Sequence, residues 1–208
     1  MMKQILSVAV LLGGVASVAS AAPVAISNFS FEAPLDNGTS PTSVNGVGNW
    51  TSSGGGQDIF AYGPPYATNG TTVAYSNGPE SALYQRVGSI QAGTYTFKVD
   101  IGSAANPQTT FFEAYAQSAS NSFAQLATVN TTPAVGTVAV DTTISFLVPL
   151  GSSFIGQTLQ LQFVNTGVQS TYDNVRGDFV AAAAVPEPAA IGVLALGGLA
   201  ALRRRRTA

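Results

Sequence analysis

The chain has 208 residues with eight Lys and Arg, ten Asp and Glu, and neither His nor Cys, giving a formal net charge of −2. Without imidazole or thiol there is no Ser-His-Asp or Cys-His catalysis, no thiolate or imidazole metal site and no disulfide framework, which leaves an all-oxygen site for a hard cation as the metal chemistry still open. Four cations form one run, Arg203 to Arg206, and a fifth is Lys3, so residues 22–184 hold Arg86, Lys98 and Arg176 against nine acids, a net of 3 − 9 = −6, and nucleic acid is not an expected partner.

In chain order, residues 1–21 read as a secretory signal peptide. Lys3 precedes an apolar run from Ile5 to Leu12, and small residues end in Ala19-Ser20-Ala21. The run is too short to span a bilayer, so cleavage after Ala21 and export are expected. The body, residues 22–180, then shows period-two alternation. A first candidate strand is 26–31. The stretch 33–70, with Gly54-Gly55-Gly56 and the single Trp, reads as a long irregular segment of functional or mobile character. Trp50 itself is expected in the core, because Gly48-Asn49-Trp50 reads as entry into a strand. Further candidates are 71–75, 81–87, 94–101, 110–117, 125–129, 144–148, 159–163 and 171–179. Tyr95, Phe97, Val99 and Ile101 alternate with Thr94, Thr96, Lys98 and Asp100, and Leu159, Leu161 and Phe163 alternate with Gln160 and Gln162. Short alternating strands broken by Gly, Pro, Asn and Ser, with no helix-length amphipathic segment, predict an all-β antiparallel sandwich.

After a small-residue linker, 181–184, residues 185–208 form a three-part tail. Val185-Pro186-Glu187-Pro188 is followed by fourteen uncharged, mainly apolar residues, Ala189 to Leu202, and then by Arg203, Arg204, Arg205 and Arg206. As a helix those fourteen residues reach about 21 Å, short of a typical hydrocarbon core, although arginine snorkelling and local thinning allow such a segment to lodge with its basic end in the cytoplasm. This order of motif, short Gly/Ala/Leu-rich helix and terminal Arg cluster resembles the PEP-CTERM sorting signal. The resemblance implies recognition of Pro186, Glu187 and Pro188 by an exosortase of Gram-negative bacteria that make extracellular polysaccharide, transient retention at the inner membrane by the helix and arginines, and release to the cell surface or extracellular matrix.

Several phrases of the body carry a second resemblance. Ile26-Ser27-Asn28-Phe29-Ser30-Phe31-Glu32 resembles the opening of galactose-binding-like jelly rolls, a group that includes many carbohydrate-binding modules, and Thr171-Tyr172-Asp173-Asn174-Val175-Arg176 resembles their closing strand. The resemblance implies a jelly-roll sandwich whose first and last strands pair, bringing the two ends of the domain together. It also implies that Glu32 and Asp173 help bind a structural Ca²⁺; the alternative is that both are strand ends, with Asp173-Asn174 making turn hydrogen bonds. In Phe60-Ala61-Tyr62-Gly63-Pro64-Pro65-Tyr66, the rings of Tyr62 and Tyr66 could stack on sugar C–H faces with Asn69 and Gln57 hydrogen bonding, or else brace a Pro-rich loop. Glycoside hydrolysis needs two facing carboxylates, and Asp36, Asp58, Glu80, Asp100, Glu113 and Asp141 are scattered at turn or polar-face positions. The expectation is a non-catalytic structural or adhesive protein associated with exopolysaccharide or biofilm; the alternative is a lectin-like module with a defined sugar site.

Overall fold

Alternation in the sequence becomes alternation across two sheets. A computed structural model describes residues 20–32, 50–53, 57–60 and 65–183. The strands within them are β1 Ala21–Pro23, β2 Thr51–Ser53, β3 Gln57–Phe60, β4 Val73–Asn77, β5 Ser81–Ser89, β6 Gly93–Ser103, β7 Thr110–Gln117, β8 Phe123–Thr131, β9 Val138–Val148, β10 Thr158–Asn165 and β11 Gln169–Ala181. One sheet has the order β3-β4-β11-β6-β9, with β1 also on β11; the second has the order β2-β5-β10-β7-β8. Every pairing is antiparallel. This is the expected jelly-roll-type sandwich, and the terminal helices of the sequence reading lie outside the described residues.

The core fills the space between the inner faces. Leu159, Leu161 and Phe163 of β10 point inward beside Phe112 and Ala114 of β7, and Phe97, Val99 and Ile101 of β6 face them from the first sheet. Trp50 is fully buried, stacked on Phe163 at 5.2 Å between ring centroids and tilted against Phe31 at 5.5 Å. Phe163 stacks in turn on Tyr172 of β11 at 4.7 Å. A chain of rings therefore joins the start of the body to its closing strand, where large apolar area and offset stacking add. The Tyr172 hydroxyl, buried with its ring, shares a 2.6 Å hydrogen bond with Ser76 Oγ, and burial drives its pKa up.

The ends meet as expected: Ala21, Ala22 and Pro23 pair with Val180, Phe179 and Asp178. Three expectations need correction. Residues 26–31 are a turn, not a strand, because Asn28 and Phe31 take left-handed backbone (φ 48° and 54°), and that reversal delivers the Phe31 ring to the core. The segment is held instead by flanking hydrogen bonds to β11, Val24 N–H to the Gly177 carbonyl and Val175 N–H to the Phe29 carbonyl, both 2.8 Å. The stretch 33–70 contains two short edge strands, β2 and β3, which are too brief for alternation to reveal. Asp100, the polar member of an alternating pair, is 3% exposed, because residues 68–69 and Asn174 cover its side of the sheet. Among the described residues no helix is long and apolar enough to cross a membrane.

Candidate functional site

Two polar constructions lie on the outer sides of the sandwich, and they differ in what they can do. The first strings the segment Thr68 to Thr72 between the opening and closing phrases. Glu32 Oε1 accepts from Thr71 N–H and Thr72 N–H, both 2.7 Å, and from the Thr72 hydroxyl at 2.8 Å, while Oε2 accepts from the Thr71 hydroxyl at 3.2 Å. Asp173 Oδ2 accepts from Thr68 N–H and Asn69 N–H, both 2.7 Å, and Oδ1 accepts from Asn174 N–H at 2.6 Å. Gly70 sits between the clamps with φ +87°, and a Cβ there would collide with the Glu32 carboxylate, so this position needs glycine.

A bulge in β11 between Asp173 and Arg176 extends this network. Asn174, at φ 53°, donates from Nδ2 to Asp100 Oδ2 (3.1 Å) and accepts at its carbonyl from Arg176 (2.6 Å). Asp100 Oδ2 also accepts from the Thr68 hydroxyl at 2.6 Å, and Oδ1 accepts from Asp141 N–H at 2.8 Å. Arg176 pairs with Asp141 and lies 3.8 Å from Asp100. Burial raises the pKa of Asp173, against the pull of the hydrogen bonds from Asn69, Thr68 and Asn174. Burial also acts upward on Glu32, but there the donors of Thr72 and Thr71 prevail and the pKa is lowered.

Ca²⁺ prefers six to eight oxygen ligands. Here the lone pairs of Glu32 and Asp173 are turned to N–H and O–H donors, and no group of three or more His, Cys, Asp or Glu gathers to hold a metal among the described residues. The donor set suits a latch made of amides, not a cation cage. Of the expected sugar-contacting residues, Asn69 belongs to this latch, donating from Nδ2 to Asn174 Oδ1 at 3.3 Å. The Tyr66 hydroxyl donates to the Ser103 carbonyl at 3.3 Å, and a Cβ on Gly102 would come within 3.0 Å of its ring. Tyr66 thus braces the end of β6. Gln57 enters β3 opposite Ser76 through its backbone, and its side chain, like Tyr62 and the tail residues Pro186, Glu187, Pro188, Arg203, Arg204, Arg205 and Arg206, lies outside what is described.

The second construction is the outer face of the second sheet. With Leu159, Leu161 and Phe163 pointing inward, Gln160 and Gln162 of β10 point outward. Gln160 stands opposite Arg86 of β5 and Tyr115 of β7; Gln162 stands opposite Tyr84 and Glu113. Gln125 of β8 continues the Tyr115 row and Thr51 of β2 continues the Tyr84 row. With strands about 4.8 Å apart, rings, amides and one guanidinium stand side by side across the face.

Hydrogen bonds fix much of that face. The Tyr115 hydroxyl donates to Glu113 Oε2 at 3.0 Å, Gln125 Nε2 donates to Glu113 Oε1 at 2.8 Å, and Arg86 Nε donates to Gln117 Oε1 at 2.8 Å. Phe123 meets the Tyr115 ring edge-on at 6.3 Å. Burial, helped by the hydrogen bond and charge of Glu113, pushes the Tyr115 hydroxyl up to about 12, so it remains a donor near neutrality. One atom is left over. Gln160 is 3% exposed and donates from Nε2 to Gln162 Oε1 at 3.3 Å, yet its buried Oε1 accepts from no group among the described residues. An unsatisfied buried acceptor costs about 1–3 kcal/mol, a cost that a donor from outside would relieve once a covering side chain moves aside.

The sequence alternation does place Gln160 and Gln162 outward, but nothing local brings Arg86 and Tyr115 beside them. The alternating pair Gln160 and Gln162 is the only local signal, and it becomes a site only once β5, β10 and β7 are known to be neighbours.

A family model described as HpiC1 cyclase matches residues 22–177. Comparison with curated proteins finds no match. Among solved structures, the CBM22-1 xylan-binding domain of Paenibacillus barcinonensis Xyn10C is similar over 80% of this chain and 100% of its own, with TM-score 0.55 and 13% identity. A CBM4 structure covers 74% of this chain and 99% of its own, with TM-score 0.51 and 15% identity. TmCBM61 in complex with β-1,4-galactotriose covers 73% and 95%, with TM-score 0.50 and 13% identity. At such identities the likeness is one of fold: the body is a carbohydrate-binding-module-like β-sandwich.

Proposed function

This chain belongs to the HpiC1-like family, and from that premise, together with its carbohydrate-binding-module-like fold, we propose that it is an exported, non-catalytic protein that binds polysaccharide on the outer face of its second sheet. The observation that carries the reading is Gln160, whose buried, unpartnered Oε1 lies among Tyr84, Arg86, Tyr115 and Gln162. Sugar hydroxyls both donate and accept, and sugar C–H faces pack on aromatic rings, so a face of amides and tyrosines matches that chemistry. The low charge of the body also favours a neutral glycan over a polyanion.

Delivery is part of the reading. The signal peptide at 1–21 would export the chain, and the tail at 185–208 would present Pro186, Glu187 and Pro188 to an exosortase at the inner membrane before release to the surface or matrix. There the domain would act as an adhesive component on exopolysaccharide. The family description favours a second reading, a cyclase acting on a small molecule.

The test is calorimetric titration of the protein with neutral polysaccharides, including xylan and β-1,4-galactan. Saturable binding is expected, weakened about five- to tenfold by Gln160→Ala, which removes one hydrogen bond from the ligand. Tyr115→Ala should weaken it at least as much, while Tyr66→Phe should leave it unchanged. Absence of saturable binding to every glycan tried would remove the polysaccharide reading and leave the cyclase.

A further inference from the structure

Among the described exposed large hydrophobics, Val135 and Val168 lie at one end of the sandwich and four longer side chains lie at the other. Phe123, Leu147, Leu150 and Ile155 are 43–67% exposed, and all four fall at one end of the sandwich. The register fixes that end: Val148 and Ala181 both lie opposite Gly93, Thr158 lies opposite Ser89 and Gln117, and Gln117 lies opposite Phe123. The segments that build it, 89–94, 117–123 and 147–158, contain no Asp, Glu, Lys or Arg.

The same end releases the chain toward its tail, held by Ala182 N–H donating to the Ala92 carbonyl at 2.9 Å. From Ala182 to Pro188 is six residues, a reach of about 20 Å when fully extended. Beyond them come the apolar residues Ala189–Leu202 and the four arginines. If that segment is lodged in a bilayer, this end of the domain cannot be far from the lipid surface.

We propose that the uncharged, apolar end formed by Phe123, Leu147, Leu150 and Ile155 docks on the lipid surface of the membrane that holds the tail. The inference rests on the reading of 189–202 as a membrane segment. Leucine, isoleucine and phenylalanine partition into the bilayer interface, and an end without carboxylates avoids the repulsion an acidic body would meet at anionic lipids. Docking would set the Phe123 edge of the glutamine face, where that ring meets Tyr115, nearest the lipid.

The absence of cysteine makes the test clean. The exported chain, residues 22–208, is prepared as Leu150→Cys or, at the opposite end, Val168→Cys, labelled with a nitrobenzoxadiazole dye and reconstituted into vesicles of phosphatidylethanolamine and phosphatidylglycerol. A blue-shifted emission, quenched by brominated lipid several-fold more strongly at 150 than at 168, is expected, and Leu147→Ser with Ile155→Ser should abolish the difference. If the protein floats with the vesicles while both probes report water, docking is wrong and the anchor stands. If it does not float with vesicles at all, the anchor reading and the docking fall together.

Discussion

Glu32 and Asp173 hold the same five residues, Thr68 to Thr72, but their titrations run in opposite directions. The pKa of Glu32 is lowered from 4.5 in the folded state, so the folded protein binds its proton less readily than the unfolded chain. Its contribution to stability is present above the unfolded value and is lost as pH falls through the folded one. Asp173, raised from 3.8 by burial, has the reverse sign: its contribution is fullest below the unfolded value and is lost as pH rises through the folded one. Glu32→Gln replaces a charged acceptor by an amide and should cost about 1 kcal/mol at pH 7, a figure reduced for partial exposure. Urea unfolding at pH 7 and at pH 3 checks this, and the gap between wild type and variant should narrow at the lower pH. A gap independent of pH would mean that the carboxylate charge has no part in the latch. Both residues stand out in the sequence as members of recognisable phrases, but their partners are backbone amides about 40 and 105 residues away, to which no local pattern points.

At the scale of elements, β11 carries the most consequences. It pairs with β1, β4 and β6, and its bulge places Asn174 in left-handed backbone with an amide on Asp100. Asn174→Ala loses that amide and keeps the unfavourable φ, for an expected loss of about 1–3 kcal/mol in denaturant unfolding. Asn174→Gly loses the amide but tolerates the φ, so it should fall between wild type and alanine. If alanine matches wild type, the bulge is not stabilised as described. The sequence shows β11 as an alternating segment of about the right length, 171–179 against an observed Gln169–Ala181. The bulge escapes because it shifts register by a residue pattern that alternation treats as continuous. Strands β2 and β3, three and four residues long, escape for a simpler reason: they contain no more than two full periods.

At the scale of the whole molecule, the proposed sorting role of the tail and the folding of the body should be separable. The last strand among the described residues ends at Ala181, before the Val-Pro-Glu-Pro motif begins, so Glu187→Ala should leave the unfolding midpoint of the body unchanged while retaining the protein at the inner membrane. Fractionation of cells expressing the variant checks it, and unchanged surface delivery would dismiss the sorting role. What the sequence by itself determined was everything with a short period or a contiguous order: the all-β class, most strand positions and the burial of Trp50. These follow from neighbours along the chain, where alternation and composition act directly. The tertiary structure alone decided that Asp100 is buried and that Arg86, Tyr115 and Gln160 share one face. β10 is joined by hydrogen bonds to β7 and β5 across 45 and 74 residues of chain, and which strands become neighbours is set by the packing of two whole sheets around a common core.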